Sequence, residues 1–141
     1  MKIRNIDHIA INCVDIEKSL DFYGRILGLE RLQTVDCGEF DILYFGLPGG
    51  GRLELFDYRG QNRIPAAGVG NLGYNVRAES DPGLRHLAFQ VEDVAAHEAL
   101  LKAEGVEITL STCDLPNLEA RVLLFLDPNG VTIEFCEKIA G

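Results

Sequence analysis

The sequence predicts an α+β protein built from two tandem βαβββ modules, and three observations predict it. A pattern recurs 78 residues apart: Ile6-Asp7-His8-Ile9-Ala10-Ile11-Asn12-Cys13-Val14-Asp15-Ile16 is answered by Leu84-Arg85-His86-Leu87-Ala88-Phe89-Gln90-Val91-Glu92-Asp93-Val94. Each copy runs from an alternating apolar segment, through an aspartate, into a stripe at helical spacing. Each copy then holds three further strand-like runs, closing on Leu53-Glu54-Leu55-Phe56 in the first and Ile133-Glu134-Phe135 in the second. An internal repeat of this kind sets the architecture before any single element does.

The elements follow in order. Residues 6–14 alternate and are rich in β-branched side chains, which makes them a strand. Asp15 stands where an N-cap belongs, because its carboxylate accepts backbone N–H groups and suits the positive end of a helix. Ile16, Leu20, Tyr23 and Leu27 follow at helical spacing, and Gly28 is a natural residue just past a helix end. Strands are expected near 29–36, 39–47 and 51–58, with Pro48-Gly49-Gly50 turning the last hairpin. The second copy places a strand over 85–92, Asp93 as cap, a helix over 94–104 with Val94, His97 and Leu101 on one stripe, and Gly105 as its stop. Its remaining strands are expected near 106–112, 119–126 and 130–137, with Asp127-Pro128-Asn129-Gly130 as a turn in which proline supplies the φ near −65°. Module 1 thus covers about 4–58 and module 2 about 84–137, within one domain over 1–141. The joint 59–83 is glycine-rich and weakly periodic, and a connection this long is usually a functional lid, an interface segment or a partly disordered stretch.

Composition narrows the function. An apolar share of 47% with 25% charged residues is that of a globular protein. The net charge of −9 argues against a nucleic-acid partner, which needs cations to track phosphates. The longest uncharged stretch, Ile64 to Val76, has 13 residues and cannot span a bilayer, so no membrane partner is expected. Asp7 and His8 interrupt any apolar signal core. Four cysteines without a Cys-x-x-Cys pair read as reduced thiols, and the expected location is cytoplasmic.

Chemistry enters through the strands. Side chains alternate between faces, so His8 shares a face with Ala10 and Asn12, and His86 with Ala88 and Gln90. Glu54 shares a face with Phe56, and Glu134 with Cys136. A carboxylate flanked by Leu53, Leu55 and Phe56, or by Ile133 and Phe135, needs a partner if it faces inward. Pairing of the modules about a pseudo-twofold axis would bring His8, Glu54, His86 and Glu134 to one divalent metal ion. A nitrogen and carboxylate set without thiolate suits Ni, Zn, Fe, Mn or Co, and softness alone does not choose among them. Four protein ligands leave two octahedral positions for water or a small-molecule substrate, a catalytic arrangement rather than a closed one. His97 has Ser19 at the matching place and reads as a helix packing or surface residue.

With these motifs assembled, the chain resembles the vicinal oxygen chelate superfamily, also called the glyoxalase, bleomycin-resistance and dioxygenase superfamily. The resemblance covers residues 4–137. It rests on Asp7-His8-Ile9-Ala10, on Ser19-Leu20-Asp21-Phe22-Tyr23 running to Leu27-Gly28-Leu29, on Leu53-Glu54-Leu55, on Arg85-His86-Leu87-Ala88-Phe89, and on Asp127-Pro128-Asn129-Gly130 leading into Ile133-Glu134-Phe135. It implies a half-open barrel around a metal site. It also implies pairing of modules within one chain or across two, and a homodimer is expected.

Within the superfamily the ligand places resemble those of glyoxalase I (lactoylglutathione lyase), all four of which are filled by His8, Glu54, His86 and Glu134. Extradiol dioxygenases and fosfomycin-resistance enzymes lack the carboxylate that Glu54 provides. Methylmalonyl-CoA epimerases usually hold glutamine there, and bleomycin-binding members lack the ligands. The resemblance implies a metal-dependent lyase or isomerase that enolises a small hydroxy-carbonyl or hemithioacetal substrate, with Glu134 as the first choice of base and Glu54 the second. Phe56, Phe89 and Phe135 are candidates for the low-dielectric surroundings such a base needs. Glutathione-dependent members tend to carry arginine and asparagine where this chain has Asn12 and Tyr58, which argues against glutathione as the carrier. Arg59, Arg63, Arg77 and Arg85 are the candidate replacements for the missing cation. Two alternatives stay open: an Fe²⁺ or Mn²⁺ oxygenase of catechol-like compounds, which a fourth protein ligand disfavours, and a non-catalytic binder of a small ligand or antibiotic, which four inward donors disfavour.

Overall fold

The computed structural model describes residues 1–61 and 82–140. The chain divides into two compact units, Met1–Ile64 and Pro65–Gly141. Most of the glycine-rich joint, residues 62–81, lies outside the described residues, and so do Arg63 and Arg77.

The first unit runs β1 (His8–Asn12), α1 (Ile16–Leu20) continuing as a π-helical turn (Asp21–Ile26), β2 (Glu30–Asp36), β3 (Asp41–Gly46) and β4 (Arg52–Asp57). Its sheet has the order β1-β4-β3-β2, with β1 parallel to β4 and the other pairs antiparallel. Register therefore puts Ile11, Leu43, Phe45, Leu53 and Leu55 on one face, and all five are buried. The helical segment covers that face. Phe22 and Tyr23 are buried beneath it, and a Cβ on Gly24 would stand 3.4 Å from the Phe45 ring. The opposite face carries His8, Ala10, Asn12, Tyr44, Arg52, Glu54 and Phe56.

Asp15 caps α1 as expected, in an extended conformation (φ −137°), with its carboxylate accepting from the Lys18 N–H at 3.2 Å. The expected α-helical stripe through Leu27 is replaced by the π turn, in which the Leu27 N–H donates to the Phe22 carbonyl at 2.8 Å. The wider turn accommodates two neighbouring aromatic side chains on the buried side, Phe22 and Tyr23, whose rings meet edge-on at 4.9 Å. Gly28 then takes φ +75°, the left-handed exit that glycine permits.

The second unit repeats the plan: β5 (Leu87–Gln90), α2 (Val94–Ala103), β6 (Ile108–Leu115), β7 (Ala120–Leu126) and β8 (Thr132–Lys138), with the sheet order β5-β8-β7-β6 and β5 parallel to β8. Phe89, Leu123, Phe125, Ile133 and Phe135 share the covered face. Asp93 caps α2 through a 3.1 Å bond from the Ala96 N–H, although its own backbone is left-handed at φ +54°. Glu98 ties α2 to β6 by accepting from the Thr112 hydroxyl at 2.7 Å and from its N–H at 3.1 Å. A single 3₁₀ turn, Pro116–Leu118, links β6 to β7 and is not foreseen by the sequence pattern.

Both leading strands are shorter than the expected 6–14 and 85–92. His8 is consequently the first residue of β1, and His86 immediately precedes β5. Each imidazole stands at the mouth of its strand.

Candidate metal centre

In the first unit, parallel register sets Ala10 beside Glu54 and His8 beside Arg52. His8 and Glu54 come from adjacent strands on one face, and His8 Nδ1 lies 3.4 Å from Glu54 Oε2. Glu54 is only 5% exposed, which for a carboxylate demands a charged or hydrogen-bonding partner. The same His8 nitrogen meets Asp7 Oδ2 at 2.7 Å. That bond, with the Arg52 charge as a lesser contribution, holds the exposed Asp7 carboxyl below the ordinary carboxylate range.

The register itself depends on Gly51. It takes φ +84°, and a Cβ there would meet the carbonyl oxygens of Asp7 and Ile6 at 3.1 and 3.2 Å. The next N–H, from Arg52, donates to the Asp7 carbonyl at 3.2 Å. Glycine thus lets β4 begin hard against the residues that lead into His8.

In the second unit Ala88 lies beside Glu134, and His86 Nε2 stands 2.8 Å from Glu134 Oε2. Across the sheet Glu134 faces Leu124. Burial, and then the Glu134 charge, push the Cys136 thiol on the same face above its usual range.

The four sequence-predicted donors therefore occur as two His–Glu pairs, one in each unit. Among the described residues no three or more His, Cys, Asp or Glu stand as a group that would hold a metal ion. The donor chemistry of each pair nevertheless fits one. Ligands bonded at about 2.0–2.2 Å with angles between 90° and 110° stand roughly 2.9–3.5 Å from one another; the first pair, at 3.4 Å, falls in that range, and the second, at 2.8 Å, stands at hydrogen-bond distance just short of it. The pairs are not identical, since His8 turns Nδ1 and His86 turns Nε2 to its carboxylate.

Several sequence-stated candidates take other roles. Phe89 and Phe135 do not surround the carboxylates. They belong to the covered face, where Phe135 meets Phe89, Phe125 and His97 edge-on. His97 thus packs against the core, and its Nδ1 lies 2.9 Å from the Asp93 carbonyl. Phe56 does share the Glu54 face, stacked on Phe40 at 5.3 Å, with Tyr58 completing an aromatic trio. Arg59 is a clamp rather than a substrate cation. It binds Asp41 at 2.6 Å, Asp36 at 3.0 Å and the Gly38 carbonyl. Arg85 is exposed. Sequence reasoning missed Arg52, whose guanidinium carbon sits 4.7 Å from the centre of the Tyr44 ring. The available signal is its spacing two residues before Glu54, which places both on one face of a strand.

The sequence profile of the Glyoxalase/Bleomycin resistance protein/Dioxygenase superfamily matches residues 5–135. The chain belongs to this superfamily. The Bacillus subtilis (strain 168) protein "Uncharacterized protein YwkD" is 32% identical over 98% of this chain and 100% of its own. A lactoylglutathione lyase of Pseudomonas aeruginosa is 26% identical over 93% of this chain and 81% of its own. The crystal structure of a glyoxalase family protein from Enterococcus faecalis superposes with a TM-score of 0.73 at 28% identity, covering 97% of this chain and all of that one. Glyoxalase superfamily membership accounts for the tandem βαβββ plan. All four cysteines are free thiols, and among the described residues no helix is long and apolar enough to cross a membrane.

Proposed function

We propose that the protein is a metal-dependent lyase or isomerase of the lactoylglutathione lyase type, acting on a small hydroxy-carbonyl or hemithioacetal substrate. The observation that carries the reading is the occurrence of a His–Glu pair at the matching place in both units, 3.4 Å apart in one and 2.8 Å in the other. The similarity to lactoylglutathione lyases supports the reaction class. His8, Glu54, His86 and Glu134 would hold one divalent ion (Ni, Zn, Fe, Mn or Co). When bound, that ion would supply Lewis-acid polarisation of a substrate oxygen.

The chain's own residues do the rest. Glu134, the less buried of the two carboxylates, takes the proton from the carbon next to the carbonyl and returns it to the neighbouring carbon, so the isomerisation needs no redox partner. Glu54 is the second candidate for this role. Asp7 bonds the same His8 nitrogen that faces Glu54, at 2.7 Å, so that nitrogen becomes a metal ligand only once the Asp7 bond is released. Phe56, on the Glu54 face and joined by Phe40 and Tyr58, lays apolar surface beside that carboxylate, and Tyr58 stands where glutathione-dependent members tend to place an asparagine. The protein is taken to act as a cytoplasmic homodimer.

The test is elemental analysis followed by turnover of the methylglyoxal hemithioacetal. The metal-loaded protein is expected to turn it over, and Glu134→Gln, which keeps an oxygen donor but not a basic carboxylate, is expected to reduce kcat per bound metal ion by roughly 10²–10⁴. No turnover of any hemithioacetal or hydroxy-ketone by the loaded protein overturns the assignment.

A further inference from the structure

Read along one face, β4 presents Arg52, then Glu54, then Phe56, with Tyr58 just beyond. Residues on one face of a strand are about 6.8 Å apart. A cation, a metal-type donor and an aromatic surface therefore follow one another in a line. Arg52 lies directly across from His8 and Tyr44 directly across from Glu54. The guanidinium rests on the Tyr44 ring at 4.7 Å, which holds its plane without using its N–H donors. Its one ion pair among the described residues is with Asp7 Oδ2 at 3.8 Å, too long for a hydrogen bond, and that carboxylate is already bonded to His8 at 2.7 Å.

The second unit has no counterpart. The places matching Arg52 and Tyr44 hold Thr132, two residues before Glu134 and facing Leu126, and Leu124, which faces Glu134. The repeat duplicates the donors but supplies the cation once. A ligand lying along this face of β4 meets a cation at the Arg52 end and aromatic surface at the Phe56 end. In a chain of net charge −9, one aromatic-backed arginine beside the donors offsets the repulsion an anion would meet.

We propose that Arg52, backed by Tyr44, is a binding site for an oxyanion on the substrate. The substrate class is then a hydroxy-carbonyl compound with a carboxylate or phosphate arm on the Arg52 side and its apolar part toward Phe56. This rests on the metal reading above and adds the charge and orientation of the ligand.

Hydroxamates test it, because their two adjacent oxygens chelate a metal without reacting. Zn²⁺-loaded protein is titrated calorimetrically with acetohydroxamate, succinic acid monohydroxamate, the primary amide of that acid, and phosphonoacetohydroxamate. The acid is expected to bind roughly ten- to hundredfold more tightly than the amide, as one charge-assisted hydrogen-bonded contact provides. Arg52→Gln is expected to remove that preference while leaving acetohydroxamate binding unchanged, and Tyr44→Leu to reduce it. The tighter of the carboxylate and the phosphonate identifies the oxyanion. Equal affinity for acid and amide, or a preference that survives Arg52→Gln, overturns the inference alone. Failure of the protein to retain Zn²⁺ and to bind acetohydroxamate overturns the metal reading, and this inference with it.

Discussion

At the scale of the residue, Glu98 shows how a charge can serve the fold rather than the site. Its carboxylate accepts two bonds from Thr112, and Lys102 lies 3.1 Å away, so its pKa falls to about 2. A carboxyl whose folded pKa lies below its unfolded value adds stability above the unfolded value and loses it as pH falls through the folded one. The α2–β6 tie is accordingly complete above about pH 4.5 and fades toward about pH 2. Glu98→Gln is therefore expected to lower the melting temperature at pH 6, with the gap to the parent closing between pH 4.5 and 2 in a calorimetric series. A gap that stays constant over that range would show that the charge of Glu98 contributes nothing. The same scale separates what sequence can and cannot show about the site. His8, Glu54, His86 and Glu134 stand out because the repeat presents the same histidine and glutamate places in both copies. Arg52 does not, because its significance comes from facing His8 across a parallel strand pair, and nothing local in the chain records which strand its neighbour will be.

At the scale of the element, caps and glycines carry more information than side-chain periodicity. Asp15 and Asp93 both cap as expected, since a carboxylate before a helical stripe has few better uses. The π turn over Asp21–Ile26 is invisible to a 3.6-residue stripe. It is selected by packing, where Phe22 and Tyr23 both find room against the sheet. Alternation correctly puts Glu54 with Phe56, yet it cannot say which face of β5 and β8 the helix covers, and so Phe89 and Phe135 are legible as apolar but not as core. Gly51 is the element-scale position on which the site geometry most depends. Alanine there would keep a left-handed backbone, at about 1–2 kcal/mol, and press its Cβ on two backbone carbonyls at 3.1–3.2 Å. Gly51→Ala is expected to lower urea-unfolding stability by at least that amount. It should also weaken metal retention more than Gly49→Ala, where a Cβ meets nothing within 4 Å although φ is equally left-handed at +85°. Equal effects of the two substitutions would remove Gly51 from the account of how β1 and β4 are brought into register.

At the scale of the molecule, each unit closes its own four-stranded sheet and buries its own core, so neither needs a metal to explain its fold. What each unit offers alone is two donors, too few to retain a divalent ion. If both pairs serve one ion, metal binding couples the units, and an ion that binds only the native state adds RT ln(1 + [M]/Kd) to stability, about 2.7 kcal/mol at a hundredfold excess over Kd. Zn²⁺ or Ni²⁺ at that excess is expected to stabilise the parent protein by that amount, reversibly with a chelator. His8→Ala and His86→Ala, which lie in different units, should each abolish most of the gain, and sedimentation of the same samples should return the mass of a dimer. The two variants make the result decisive. Pairs that act separately would each lose their own share and leave the other intact, giving additive halves in the double variant. Pairs that share one ion would make either single substitution as damaging as both together, because removing one ligand from a set of four already leaves the site without the coordination that held the metal.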